Sequence, residues 1–169
     1  TRENAAPSFA AAVPVWPEGR TEEENAFVGF RADFAVRKGE RPVLRVTGSS
    51  LYRAWVNGKF AGYGPARAGH GYFRVDEWPL AAKPGANEVT LTVSGYNCNS
   101  YYFQDQPSFL QAEIVGKGGR VLAATGADGA FAATSTARVS KVPRYCFQRT
   151  FSEVYRLNDA PPVRYALAE

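Results

Sequence analysis

Between Leu51 and Phe73 the chain reads LYRAWVNGKFAGYGPARAGHGYF, and the Asn57-Gly58 pair inside it leaves the backbone little choice. Both central residues of a type I′ hairpin turn need a positive φ, which asparagine tolerates and glycine adopts freely. Asn-Gly between two apolar and aromatic runs therefore predicts strand, two-residue turn, strand. Tyr52, Ala54 and Val56 fall on one face of the first strand, and Arg53, Trp55 and Asn57 on the other. The return strand passes Phe60 and enters a loop over 62–71, whose glycines allow backbone to run close to a neighbouring group. That loop carries Arg67 and His70, the only histidine, and leads to Tyr72 and Phe73.

The same two-residue alternation recurs along the chain. Phe30, Ala32, Phe34 and Val36 share one face of a strand whose other face shows Arg31 and Asp33. Leu44 and Val46 point inward from the next strand, and Val89, Leu91 and Val93 alternate with Glu88, Thr90, Thr92 and Ser94 in the clearest strand of all. Pro84-Gly85 has the order of a type II turn before that strand. Residues 109–115 and 120–125, joined by Gly116-Lys117-Gly118-Gly119, form a second hairpin, and Asp128-Gly129 makes a further turn before a short strand over 131–136. Residues 144–157 read as an extended aromatic segment. About eight to ten short strands, with no long helical period, specify an all-β fold: an antiparallel β-sandwich of jelly-roll type. Residues 1–23, with Pro7, Pro14 and Pro17 around Trp16, are expected to lie extended over the domain; 24–157 form the sandwich; 158–169, with Pro161-Pro162, are expected to be a linker toward another domain.

Composition bounds the function. The 169 residues are enough to bury a core without staples. No apolar run reaches the roughly 20 residues of a membrane helix, and a membrane partner is not expected. The net charge of +4 is spread in ones and twos among acids rather than gathered into a basic face, which argues against nucleic acid. Cys98 and Cys146 stand in no metal-ligand spacing, leaving either one disulfide or two buried thiols. No methionine occurs, not even at position 1, so a trimmed or mature fragment is expected.

Chemistry is sparsely signposted. Glycoside hydrolysis needs two carboxylates across a bond, but no spacing singles out a pair among Asp76, Glu77, Asp105 and Glu113; Glu113 is expected to face solvent or the second sheet. His70 with Asp76 could be half of a metal or acid-base site, or His70 could simply hold its own loop. No metal site, cofactor or catalytic residue is assigned. Sugar contact is better supplied: aromatic rings offer a platform to the C–H faces of a pyranose, and planar polar groups bind its hydroxyls. Trp55, Tyr63, Arg67, His70, Tyr72, Trp78, Asn97, Tyr101 and Asp105 are the candidates for contact with carbohydrate or with a neighbouring domain.

The segment YRAWVNGKF with Gly62, then GPAR over 64–67, HGY over 70–72 and KPGAN over 83–87, resembles the accessory β-sandwich of bacterial α-L-rhamnosidases and, more broadly, is similar to the galactose-binding-like domains that precede the catalytic domain in many glycoside hydrolases. NCNSYYFQDQPSFLQAEI over 97–114 and YCFQRTFSEVYRL over 145–157 extend the resemblance to roughly 24–157. It implies an N-terminal, non-catalytic module whose partner is an (α/α)6-barrel catalytic domain of the same polypeptide, and whose ligand, if it has one, is a rhamnose-containing glycan. An independent carbohydrate-binding module and a self-sufficient hydrolase are the alternatives. By analogy with other glycan-degrading enzymes, export to the periplasm or beyond is expected.

Overall fold

The computed structural model describes residues 8–69, 71–127, 129–149, 151–158 and 160–169. Twelve strands follow one another among them: β1 (Trp16–Pro17), β2 (Ala26–Val36), β3 (Val43–Gly48), β4 (Leu51–Val56), β5 (Lys59–Gly64), β6 (Asp76–Pro79), β7 (Gly85–Gly95), β8 (Leu110–Val115), β9 (Val121–Ala124), β10 (Phe131–Ser135), β11 (Arg164–Tyr165) and β12 (Leu167–Ala168). A single 3-10 turn, Lys117–Gly119, joins β8 to β9. A six-stranded sheet runs β11-β10-β2-β7-β4-β5, a four-stranded sheet runs β6-β3-β8-β9, and β1 pairs with β12 as a ribbon. Every pairing is antiparallel, so the chain is an antiparallel β-sandwich of jelly-roll type.

The core follows from the alternation. Phe30, Ala32, Phe34 and Val36 of β2, Tyr52, Ala54 and Val56 of β4, and Val89, Leu91 and Val93 of β7 turn to one side of the six-stranded sheet. They meet Leu44, Val46, Leu110, Ala112 and Ile114 of the other sheet in one buried cluster. Trp16 lies in the same cluster, its ring centroid 6.0 Å from that of Phe30. The central pairing of β2 with β7 is in register over eleven residues, Ala26↔Gly95 to Val36↔Gly85. Such a register is strongly specified, because a slip of one residue would turn the whole apolar face to solvent.

Asn57 and Gly58 both have positive φ, 49° and 75°, as the hairpin turn requires. The two turns that carry the family resemblance are also bonded to each other. Asn57 donates from Nδ2 to Asn87 Oδ1 at 2.9 Å, and its own Oδ1 accepts from the Glu88 backbone N–H at 3.0 Å. Buried Asn87 accepts from the Lys83 N–H and donates to the Lys83 and Gly85 carbonyls. Asn87 thus fastens the Pro84-Gly85 turn to itself and to the hairpin.

The glycines of β5 also have identified neighbours. A Cβ at Gly62 would collide with the Trp78 indole, and one at Gly64 with Asp76 and Tyr52. Tyr52 donates to Asp76 Oδ2 at 2.5 Å and accepts from Trp78 Nε1 at 2.7 Å, which ties β4 of one sheet to β6 of the other. Burial, followed by the Asp76 hydrogen bond, pushes the Tyr52 phenol well above its ordinary range, so it stays protonated as the donor.

Glu113 departs from expectation. It faces neither open solvent nor the second sheet; it lies fully buried on the outer side of β8, beneath the N-terminal segment. Its carboxylate accepts the backbone N–H groups of Ala10, Ala11 and Ala12 at 2.9–3.2 Å, and Arg45 stands 3.4 Å away, itself bonded to Glu77 at 2.8 Å. Residues 144–149 and 151–157 depart as well: instead of one extended run, they fold back through isolated bridges Arg144↔Phe151 and Arg138↔Tyr155. At the other end, Arg164–Tyr165 pairs with β10 and Leu167–Ala168 with β1, so the last residues of the tail are held by both layers of pairing. Both cysteines are free thiols, and only Cys98 is buried. Asp128 of the expected Asp-Gly turn lies outside the described residues; Gly129 has φ 69°.

Candidate functional site

A second, smaller apolar cluster shapes the surface of interest. Phe27, Tyr96, Cys98 and Phe151 are buried together, with Phe103 packed against them. Tyr96 stacks on Phe151 at 5.8 Å and 9°, and Phe27 meets Tyr96 edge-on at 6.0 Å. This cluster pins the loop over 97–106 and the folded-back residues 138–149 and 151–156 against one end of the six-stranded sheet. Each of those segments then walls one concavity, and Leu51 lines both.

The first concavity is a cleft of about 550 Å³ between residues 65–69 and 71–74 on one side and the loop over 100–106 on the other. Arg67, Tyr72 and Tyr101 line it, as does Tyr102, over whose ring the Arg67 guanidinium sits at 4.9 Å. Ser100 Oγ accepts the Tyr102 and Phe103 N–H groups at 3.0 Å each, which sets the turn that presents both tyrosines. At the back, Gln106 donates from its amide to the Ser49 carbonyl at 2.5 Å, while the buried Ser49 hydroxyl has no hydrogen-bond partner. The tyrosines are open to solvent: Tyr72 is 77% and Tyr101 67% exposed. Phe147 stands edge-on to Tyr101 at 5.6 Å and is itself exposed, so the aromatic surface continues past the rim of the cleft.

The second concavity, about 510 Å³, lies on the outer face of the six-stranded sheet. Alternation puts Arg53 and Trp55 of β4, Tyr63 of β5, and Thr92 and Ser94 of β7 on this face, and the register sets Arg53 beside both Tyr63 and Thr92. Trp55 is steadied by Phe60, edge-on at 6.0 Å. The opposite wall is Arg138, Glu153 and Tyr155. Arg138 pairs with Glu153 at 3.2 Å and lies 3.8 Å above the Phe27 ring, and Tyr155 donates to Glu153 Oε2 at 3.2 Å.

Of the residues singled out from sequence, Arg67, Tyr72 and Tyr101 thus share the cleft, and Trp55 and Tyr63 the groove. Trp78 and Asn97 line neither. Trp78 is turned toward Tyr52 and Gly62, and Asn97 is buried with its Oδ1 accepting the Gln106 N–H at 3.0 Å. Asp105 is exposed beyond the cleft, its N–H bonded to Asn99. His70 lies outside the described residues. Sequence reasoning missed Arg53, Arg138, Glu153 and Tyr155; the outward phase of Arg53 with Trp55 was the available signal, whereas nothing local to 138–155 shows that it crosses the sheet.

Three of the four carboxylates considered for hydrolysis are engaged elsewhere, Glu113 by three amides and Arg45, Asp76 by Tyr52, and Glu77 by Arg45; the fourth, Asp105, is exposed. Among the described residues no group of three or more His, Cys, Asp or Glu side chains is placed to hold a metal ion.

No family model matches the sequence, and no curated protein sequence matches it. Solved structures do. A family 78 rhamnosidase of Bacillus sp. GL1 superposes with a TM-score of 0.76 at 28% identity, over 85% of this chain and 15% of that one. The α-L-rhamnosidase of Aspergillus terreus gives 0.58 at 19% identity over 78% of this chain and 17% of that one. The α-L-rhamnosidase of Dictyoglomus thermophilum gives 0.57 at 14% identity, over 85% and 18%. The chain therefore spans less than a fifth of the length of these enzymes.

Proposed function

From the premise that this chain is a β-sandwich domain of the α-L-rhamnosidase type, we propose that it is a non-catalytic accessory domain that packs on the catalytic domain of a sugar-cleaving polypeptide. The supporting observation is the disparity of coverage: the likeness takes in 85% of this chain but only 15% of the Bacillus rhamnosidase. A module of that kind needs a surface for its neighbour. The exposed aromatics Tyr72, Tyr101, Tyr102 and Phe147 around the cleft form one, since side chains of this size in contiguous exposure mark interaction sites. Glu113, Asp76 and Glu77 are engaged in bonds within the sandwich, which supports leaving hydrolysis to a separate domain.

Two measurements test this. The 169-residue chain should release no nitrophenol from para-nitrophenyl α-L-rhamnopyranoside above buffer; turnover that survives repurification would refute the non-catalytic role. A rhamnosidase catalytic domain encoded in the same reading frame and produced separately should bind the chain, and Tyr101→Asp with Phe147→Asp should abolish the association without altering the chain's own melting.

A further inference from the structure

The cleft and the groove differ in kind. The cleft is walled by two loops and continues into a broad exposed aromatic surface, as suits a neighbouring domain. The groove is a bounded trough whose floor is set by paired strands β4 and β7, and sites on such elements hold their geometry better than sites on loops. Its volume of about 510 Å³ falls within the range of small-ligand sites, roughly 300–1,000 Å³.

The lining indicates the chemistry of the occupant. Trp55, Tyr63 and Tyr155 offer aromatic surface, and Tyr63 and Tyr155 are 69% and 47% exposed. Thr92 and Ser94 place hydroxyls on the floor, where an apolar ligand would leave them unpaired. The exposed Arg53 guanidinium makes no ion pair or hydrogen bond among the described residues and presents a planar fork of donors to the groove. Glu153, fixed by Arg138 and Tyr155, supplies acceptors on the opposite wall. Donors on one side, acceptors on the other, hydroxyls beneath and ring faces at the walls match a molecule with apolar C–H faces and vicinal hydroxyls.

We infer that the groove bounded by Arg53, Trp55, Tyr63, Glu153 and Tyr155 binds a short oligosaccharide of pyranose rings, one ring against Trp55 with its hydroxyls between Arg53 and Glu153. The inference rests on the accessory-domain reading for its biological sense and locates the sugar contact on the sheet, away from the cleft that faces the neighbouring domain.

The test is a titration of the full 169-residue chain followed by proton–nitrogen correlation NMR, with the rhamnosyl-glucose disaccharide rutinose and with cellotriose as probes. Of the three indoles, Trp16 is buried and Trp78 is bonded to Tyr52, so the Trp55 indole reports on the groove. Saturable shifts of that indole and of the Arg53, Thr92 and Tyr155 amides with either sugar support the site. Arg53→Ala should weaken binding about tenfold, and Trp55→Ala by at least as much; Arg67→Ala should leave it unchanged. Arg53 is exposed and unpartnered, so its removal keeps the test valid should Trp55→Ala unfold. Shifts confined to 66–74 and 100–104 would overturn the groove as the site, as would no saturable change with either probe up to roughly 10 mM. So would movement of the Trp55 indole only when the catalytic domain is added, which would make the groove a protein seat. None of these failures touches the accessory-domain reading, which is judged by the association measurement.

Discussion

Glu113 shows how far a residue's surroundings can depart from its local pattern. Burial pushes its carboxyl up, but the N–H groups of Ala11, Ala10 and Ala12, with Arg45, outweigh burial and hold it below the ordinary carboxylate range. A depressed folded-state pKa contributes stability that is complete above the unfolded value, near 4.3, and lost as pH falls through the folded value. Thermal stability should therefore decline below about pH 4.5. Glu113→Gln should cost about 1–3 kcal/mol at pH 7, since backbone donors lose a charged acceptor, and should flatten the acid limb. Urea unfolding at several pH values measures both. An unchanged acid limb in the variant would show that other carboxylates govern it.

At the scale of elements, the β4–β5 hairpin and the turn before β7 behave as one unit because Asn57 and Asn87 bond across them. Asn87 makes four hydrogen bonds with side chain alone, from Asn57 and the Lys83 N–H and to the Lys83 and Gly85 carbonyls. Asn87→Ala should destabilise by about 2–4 kcal/mol, more than a typical surface change, because several buried groups lose their partner together. Asn87→Asp should recover only part of that, as it keeps an acceptor but loses both donors. Equilibrium unfolding of the two variants decides the order. The same reasoning explains why Gly62 and Gly64 occupy a strand: the Trp78 indole and Asp76 cross directly over them.

For the molecule as a whole, residues 16–20 and 164–168 are part of the sandwich's closure. Leu167–Ala168 pairs with Trp16–Pro17, Arg164–Tyr165 extends the six-stranded sheet, and the Arg20 guanidinium lies 4.6 Å over the Tyr165 ring. Removing residues 160–169 should lower stability by about 2–4 kcal/mol through lost ladder bonds and partial exposure of the β1 region. Unfolding should remain a single cooperative transition, because every buried member of the core lies outside 160–169, which adds only the partly buried Tyr165 and Leu167 at its margin. Denaturant melts followed by both tryptophan fluorescence and far-UV circular dichroism check this; a transition that splits in two would show the ends to be a separate folding unit.

The strands, their inward faces and their turns were legible in the sequence because each depends on contacts between near neighbours: a period of two for β2 and β7, positive φ at Asn57 and Gly58, a Pro-Gly turn ahead of β7. Trp55 could be picked out by the outward phase of its strand, and Tyr63, Arg67, Tyr72 and Tyr101 by residue type in the glycine-rich and polar aromatic stretches, and they do line concavities. Which concavity each one joins, and who stands opposite, depends on how segments distant in sequence come together. The Arg138–Glu153–Tyr155 wall faces strands far earlier in the sequence only because Phe27, Tyr96 and Phe151 form a second small core. Glu113 is buried by amides 101–103 residues away, a separation over which no periodicity carries information. Hydrophobic alternation decides which way a side chain points, and that much is written locally; what it meets there is decided by the packing of one sheet on another and of loops on both.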